Sequence, residues 1–357
     1  VSGANLFGLD RAGLEGVALA LGEPRYRARQ LYSWLYRKRA RCFADMTNLP
    51  KTLRERLAAA HVLAWPALAE RQLSYDGTVK YLFRLDDAAT IESVYIPEER
   101  RRTICISTQA GCPLRCAFCL TGIAGYKRNL AAWEILGQVA AVMEDHPDHP
   151  RAPRRPWNLV VMGMGEPLLN LEATLSALRV LMDPEGFAIA PKKLTLSTVG
   201  ILPALERLML EPVRPNLAIS LHAPDADLRR RLMPIEATYR LEDVIAAARR
   251  YPIPRGGRVT YEYVLLKGVN DSPAHARQLA RLLAGQRAKV NLIPLNPAPQ
   301  IPFEGPTPEA VAAFCAVLAG AQLTVSVRRR RGGDILAACG QLQLRRLPPA
   351  GALHAAG

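Results

Sequence analysis

The chain has 357 residues and carries 47 Lys and Arg against 32 Asp and Glu, a formal charge of +15. That length holds a large core plus an accessory domain, and that charge favours a polyanionic partner, whether RNA, DNA or an anionic membrane. Residues 1–16 lack a basic start followed by an apolar run, and no apolar stretch approaches the roughly 20 residues that span a bilayer. Seven cysteines are too few for a secreted disulfide scaffold, so a cytoplasmic location without membrane attachment is expected.

The chain up to about residue 65 reads as helical. RYRARQLYSWLYRKRA predicts a helix over 25–40 with Leu31, Trp34 and Leu35 on its apolar side. Thr47 or Asn48 is placed to cap a second helix with Pro50 in its first turn, running through LRERLAAA. Up to residue 65 there are 11 Lys and Arg against 5 Asp and Glu, so a nucleic-acid-facing role and a plain basic cap are both open. Within 72–97, VKYLFRL and TIESVYI predict two short strands joined by the turn-like DDAA.

From about 103 a strand-then-helix rhythm begins. TICIST precedes a helix at 131–144, WNLVVMG one near 171–182, and KLTLSTV one at 201–210. NLAISLH leads through a long loop to 241–250, VTYEYVLL leads to 273–285, KVNLIPL leads to 308–319, and LTVSV closes the series. Six βα units predict a parallel α/β domain. A barrel or partial barrel is favoured over a Rossmann sheet because each polar motif follows a strand's C-terminal end, and MGMGEP at 162–167 lacks the GxGxxG spacing. The Pro-rich segments 146–157 and 296–308 read as surface loops near the site mouth.

Four of the seven cysteines fall in CISTQAGCPLRCAFC, and Cys112, Cys116 and Cys119 have the spacing CxxxCxxC. Thiolates are the usual protein ligands of iron–sulfur clusters, and three from one loop hold three irons of a cubane while leaving the fourth open. A structural zinc site wants four ligands. No fourth follows at finger-like spacing, and His146 and His149 sit in the Pro/Arg loop, where they read as exposed.

This loop, with Phe118 just before the third cysteine, resembles the radical S-adenosylmethionine (SAM) superfamily. GCPLRCAFCLTGIAGYKRNL, VVMGMGEPLLN, LSTVG, SLHAP, YEYVLLKGVND, NLIPLNP and GGDILAACGQL resemble the adenosine C2 methyltransferases of rRNA and tRNA. RARQLYSWLYRKR and FADMTNLPKTLRERL do so as well, so the resemblance spans about 25 to 343. It implies a partial (β/α)6 barrel with an N-terminal helical accessory domain and a short β extension. The expected divisions are residues 1–68 as the RNA-facing accessory domain, 69–98 as the β extension, 99–345 as the catalytic domain and 346–357 as a tail. It also implies one [4Fe–4S] cluster, two SAM per turnover, a flavodoxin- or ferredoxin-type electron donor and a monomer. The implied substrate is an adenosine in the peptidyl transferase centre of 23S rRNA, and in some members the adenosine 3′ of the tRNA anticodon. A C8-methylating relative shares these cysteines, but Pro167 after the Glu resembles the C2 group.

By the same resemblance Cys339 carries the methyl group and Cys105 resolves the RNA–protein adduct through a disulfide. Glu92 is implied as proton acceptor, and Gly165, Glu166, Ser197, Ser220, Leu221, His222 and Asn296 as SAM contacts. Read alone, these residues are less committed. Cys105 on its strand could face either way, Glu92 could be a surface residue, and His222 a core histidine. Ser197 could bond its own backbone, and Asn296 could cap a turn. Cys315 on an apolar helix reads as buried core, and Cys42 as incidental. Lys127, Arg128 and the run Arg328–Arg331 are candidates for RNA phosphate contact. Arg330 stands where the family more often has Thr or Ser, and Gly333 replaces a commonly polar position.

Overall fold

The computed structural model describes residues 3–147, 155–254 and 256–342. The N-terminal part holds a short strand β1 (Ala4–Asn5), then α1 (Arg11–Ala20), α2 (Tyr26–Tyr32) and α3 (Lys51–Ala60), with β2 (His61–Val62) returning beside β1. The helix expected over 25–40 ends at Arg37, its last turn widened into a π-helix over Ser33–Arg37. Its apolar side lies as its spacing demands: Leu31 and Leu35 are buried, while Trp34 lies at the edge under Lys38. Neither Thr47 nor Asn48 caps the next helix. It starts at Lys51 directly after Pro50 with no side-chain cap, and the Asn48 side chain instead accepts from the Trp34 indole.

A ten-stranded sheet follows. Its first three strands, β3 (Ala67–Leu73), β4 (Val79–Arg84) and β5 (Thr90–Pro97), pair antiparallel. β5 then pairs antiparallel with β6 (Arg102–Ile106), the first strand of the catalytic sheet. β3 begins before the alternation that marks β4 and β5, and five of its seven residues are exposed. Next comes a small hairpin, β7 (Gln109–Gly111) with β8 (Tyr126–Asn129), enclosing the short helix α4 (Leu120–Ile123).

The βα rhythm then runs as expected. α5 (Ala132–Asp145) leads to β9 (Trp157–Val161), α6 (Leu171–Met182) to β10 (Leu194–Thr198), and α7 (Leu202–Met209) to β11 (Asn216–Ser220). The stretch read as a long loop contains α8 (Ala226–Leu232) before α9 (Leu241–Arg250). β12 (Val259–Leu265), α10 (Pro273–Leu282), β13 (Ala288–Pro294), α11 (Pro308–Gly320) and β14 (Thr324–Val327) complete the series. Strands β6, β9, β10, β11, β12, β13 and β14 are joined side by side, every pair parallel, so six crossovers build the partial (β/α)6 barrel. β3 and β14 form the two ends of the sheet and do not pair with each other. Parallel strands covered by helices bury both faces, and Leu159, Leu196, Leu217, Tyr261 and Val290 are accordingly fully buried.

α8 is fixed by an internal ion pair. Arg229 is wholly buried, bonds the Glu236 carboxylate, and donates through Nη2 to the Val199 carbonyl at 2.8 Å. Glu236 in turn accepts from the Leu241 amide at 2.9 Å. A buried charge without such partners would be strongly destabilising, so the pair fixes where this insert lies over the strand ends.

Three burial expectations change. The loop over 296–308 is partly packed, with Ala298 and Ile301 buried. Cys315 is half-buried rather than core. His146 is not exposed: it is half-buried, its ring stacks on Tyr95 at 3.7 Å, and its Nε2 lies 2.7 Å from the Tyr81 hydroxyl. His149 and most of the Pro/Arg loop lie outside the described residues, as does the tail 346–357.

Candidate active site at the strand ends

One cavity at the C-terminal ends of the parallel strands collects cysteines from distant parts of the sequence. Its cluster loop hangs between β7 and β8. Gly111 has φ +86°, and a Cβ there would lie 2.0 Å from the Gly125 carbonyl oxygen, so only glycine fits. That approach lets the Cys112 amide donate to the same oxygen at 2.9 Å. The Ala117 amide donates to the Leu232 carbonyl of α8 at 2.9 Å, tying the loop to the Arg229-anchored insert.

Cys112, Cys116 and Cys119 all line this cavity. Burial pushes the Cys112 thiol up to about 12, and it raises Cys116 and Cys119 as well. Coordination removes the proton outright, so buried thiols of this kind suit a metal centre better than a free thiolate. Among the described residues, no three His, Cys, Asp or Glu converge as ligands of a single ion. Three thiols from one short loop lining one cavity are the kind of donor set that iron–sulfur clusters take. The donor set therefore fits a cluster with three protein ligands.

Opposite the loop lie most of the polar groups singled out in the sequence. Gly165 has φ +99°, and a Cβ there would sit 2.5 Å from the Gln109 Cβ. Gln109 also accepts from the Glu166 amide at 2.8 Å. The Glu166 carboxylate is buried and accepts from the amides of Leu168 (3.0 Å) and Val199 (2.9 Å). Burial pushes its pKa up to about 7, against those bonds and one from Thr198. Ser197 does not turn back on its own backbone; its hydroxyl lies 3.2 Å from that of Ser220 on the next strand.

His222 has φ +59°, accepts from the Val264 amide through Nδ1 at 3.0 Å, and meets Phe118 edge-on. Burial, with Arg229 adding to it, lowers His222 to about 3, so its ring is neutral. The Asn296 carbonyl accepts from Gln341. Leu221 is the exception. It is wholly buried among core side chains, and its backbone amide donates to Glu262 rather than opening onto the cavity.

Cys105 is buried at the end of β6, directly opposite Val94 of β5, and both face the cavity. Burial pushes its thiol up to about 12, with the neighbouring Cys339 adding to that shift. Cys339 is exposed at the cavity mouth. Its segment closes over the cluster loop through a bond from the Leu120 amide to the Gly340 carbonyl at 2.8 Å.

Glu92 is not a surface residue. It is buried on the face of β5 that also carries Val94 and Ile96, two residues that line the cavity. Its carboxylate meets Lys80 Nζ at 3.5 Å, and the same ammonium lies 3.5 Å from the Leu336 carbonyl, three residues before Cys339. Lys80 was not singled out in the sequence, although hairpin register across DDAA places it on the face shared by Glu92 and Val94.

The arginine run also divides. Arg328 turns inward, its Nη1 3.7 Å from Cys339 Sγ and 3.9 Å from Met162 Sδ, while Arg329 and Arg330 remain exposed. The nearby Cys339 sulfur is the main influence holding the Arg328 guanidinium in its charged form. Arg128 is committed elsewhere. It forms a two-pronged pair with Glu134 (2.7 and 2.8 Å) and also reaches Asp87 (2.7 Å), whereas Lys127 is exposed.

A parallel partial barrel whose first strand leads to three thiols facing a glycine–carboxylate floor defines a radical SAM enzyme. Residues 106–280 match the radical SAM superfamily, and residues 4–63 match the ribosomal RNA large subunit methyltransferase N-terminal domain. The chain is 47% identical to the dual-specificity RNA methyltransferase RlmN of Syntrophobacter fumaroxidans, covering 92% of this chain and 95% of that one. It is 45% identical to the Geobacter sulfurreducens protein of that name, covering 97% and 94%. A crystal structure of a radical SAM methyltransferase from Sphaerobacter thermophilus superposes with a TM-score of 0.87 at 45% identity, covering 95% and 98%. The chain belongs to the dual-specificity RNA methyltransferase RlmN family. It is an enzyme that uses a [4Fe–4S] cluster and SAM.

Proposed function

We propose that the chain methylates C2 of an adenosine in the peptidyl transferase centre of 23S rRNA, and the adenosine 3′ of the tRNA anticodon. One observation carries this reading: the cavity lined by the three cluster cysteines also holds Cys105 and Cys339. Cys112, Cys116 and Cys119 hold the cluster, and Gly165, Glu166, Ser197, Ser220, His222 and Asn296 hold SAM, with Leu221 buttressing from behind. When bound, the cluster and SAM supply a carbon-centred radical able to take a hydrogen atom from a methyl group.

The chain's own residues do the rest. Adenine C2 is too poor a nucleophile to attack SAM directly, whereas a cysteine sulfur can. Cys339 therefore takes the methyl group on sulfur, and Arg328 gives that sulfur a cationic neighbour. After losing one hydrogen atom, the methyl carbon bonds to C2 and tethers the base to Cys339, and the unpaired electron left on the base would return to the cluster that gave one up when SAM was cleaved. Glu92 accepts the C2 proton, held in place by Lys80. The Cys105 sulfur then attacks the Cys339 sulfur. An S–S bond forms as the S–CH2 bond breaks, the bond pair stays with the CH2 carbon, which takes a proton from water to become CH3, and the methylated base leaves. Cys105 lies beside Cys339 in the same cavity, as that step requires.

We further assign residues 1–68 to an RNA-facing accessory domain, 69–98 to the β extension and 99–345 to the catalytic domain. A flavodoxin- or ferredoxin-type protein supplies the electrons, and the chain acts as a monomer in the cytoplasm. Among the described residues no helix is long and apolar enough to cross a membrane. The test is anaerobic turnover of the reconstituted holoenzyme on 23S rRNA and on tRNA, followed by nuclease digestion and mass spectrometry. C2-methyladenosine from both RNAs is expected, and C8-methyladenosine in its place would overturn the assignment.

A further inference from the structure

The tip of the β3–β4 hairpin sits beside the Cys339 segment and carries an aromatic ring that nothing in the fold uses. Tyr75 is 88% exposed, the most exposed large apolar side chain among the described residues. Its backbone is nevertheless fixed. Gly77, at φ +80°, closes the turn, and the Ser74 amide donates to the Thr78 carbonyl at 2.8 Å. The Ser74 hydroxyl donates to Asp334 Oδ1 at 2.6 Å, and the Tyr75 amide reaches Asp334 Oδ2 at 3.4 Å. From the other side, the Gly332 amide donates to Asp76 Oδ2 at 3.1 Å. The tip and the segment ending in Cys339 are therefore stapled together by both carboxylates.

Arg330 and Gly333 of this segment meet at the same place. A Cβ on Gly333 would lie 2.6 Å from Arg330 Nε, so the Arg330 side chain lies across the backbone at Gly333. The glycine makes room for the arginine, and the pair sets an exposed guanidinium on the segment that Tyr75 is stapled to. An exposed aromatic face and an exposed cation on two segments bonded to each other can grip single-stranded RNA, one stacking on a base and the other meeting a phosphate. Because the hairpin is already rigid, little ordering is lost when it is used.

We propose that Tyr75 and Arg330 form a nucleotide clamp at the cavity mouth, Tyr75 stacking on a base next to the target adenosine and Arg330 meeting its phosphate. The clamp holds the flanking strand while the target base is drawn out of its stack toward Cys339. This rests on the RNA methyltransferase reading above and adds which part of the chain grips the substrate.

The experiment uses the reconstituted holoenzyme and a 23S rRNA fragment carrying the target adenosine. Tyr75→Ala raises KM for the fragment about tenfold, the order expected for losing one stacked base, and Tyr75→Phe restores it. Arg330→Thr lowers the slope of log affinity against log salt by about one. Emission from Tyr75→Trp is quenched when the fragment binds. SAM-dependent methylation of Cys339 without RNA proceeds in every variant, because the ring faces solvent. An unchanged KM in Tyr75→Ala, or Tyr75→Trp emission indifferent to the fragment, overturns the clamp. Failure of the unsubstituted holoenzyme to methylate any RNA would instead overturn the functional reading on which it rests.

Discussion

The cluster loop and the Cys339 segment face each other across one cavity, yet they are held by different means. The loop is fixed by main chain to main chain, Cys112 to Gly125 and Ala117 to Leu232, over a glycine that admits no side chain. The Cys339 segment is held chiefly by side chains reaching from elsewhere: Ser74, Asp76 and Lys80 from the β extension, with its own Gln341 bonded to the carbonyls of Asn296 and Pro297. The three loop thiols are buried or half-buried, and Cys339 is exposed. A metal anchor gains from geometry that never varies. A methyl carrier must present one sulfur first to SAM and then to RNA, and a strap pinned by side chains can yield where a backbone ladder cannot.

The largest effects should separate the two completely. Alanine at Cys112, Cys116 and Cys119 together removes bound iron and all SAM cleavage, read by iron analysis and 5′-deoxyadenosine release. Cys339→Ala keeps the iron and abolishes RNA methylation, and Cys105→Ala traps a covalent RNA–protein adduct visible on a denaturing gel. Normal turnover by Cys105→Ala would end the case for a disulfide step.

Next comes Lys80→Met, which strips Glu92 of an ammonium partner and the strap of its bond at Leu336. RNA methylation should fall about a hundredfold, the scale of a misplaced general base, while iron content holds. Equal loss of iron would mean that the two regions are not separately supported.

Asp334→Ala cuts the staple to Ser74 and Tyr75, and thermal unfolding should register a loss of about 1–2 kcal/mol, as for charge-assisted hydrogen bonds. Smallest in its effect on RNA is Arg128→Ala. Arg128 is engaged by Glu134 and Asp87, so KM for RNA should be unaltered, while the buried Glu134 carboxylate left without its partner should lower stability by about 3 kcal/mol. A raised KM would return Arg128 to the RNA-binding surface.

The same contrast explains what the sequence could tell. The strand–helix rhythm from 103 to 327 was readable because buried parallel strands and amphipathic helices leave distinct periods. The cysteine loop stands out as a candidate cluster site because three thiols lie within eight consecutive residues. Glu92 was ambiguous because alternation assigns a face but not a depth, and burial against Lys80 comes from a neighbouring strand. Arg328 looked like one of four equivalent surface arginines because a charge run does not reveal which member turns inward. The cap of α3 was misassigned because Trp34, distant in sequence, engages Asn48 instead.

The bond from Leu120 to Gly340 has a consequence for how the enzyme is made. Cys112, Cys116 and Cys119 are synthesised long before Ala337, Ala338 and Gly340, which line the same cavity. On the ribosome the cysteine loop is therefore complete while the segment that covers it has yet to be translated. The order of synthesis leaves the cysteine side of the cavity uncovered until residues 337–340 have emerged.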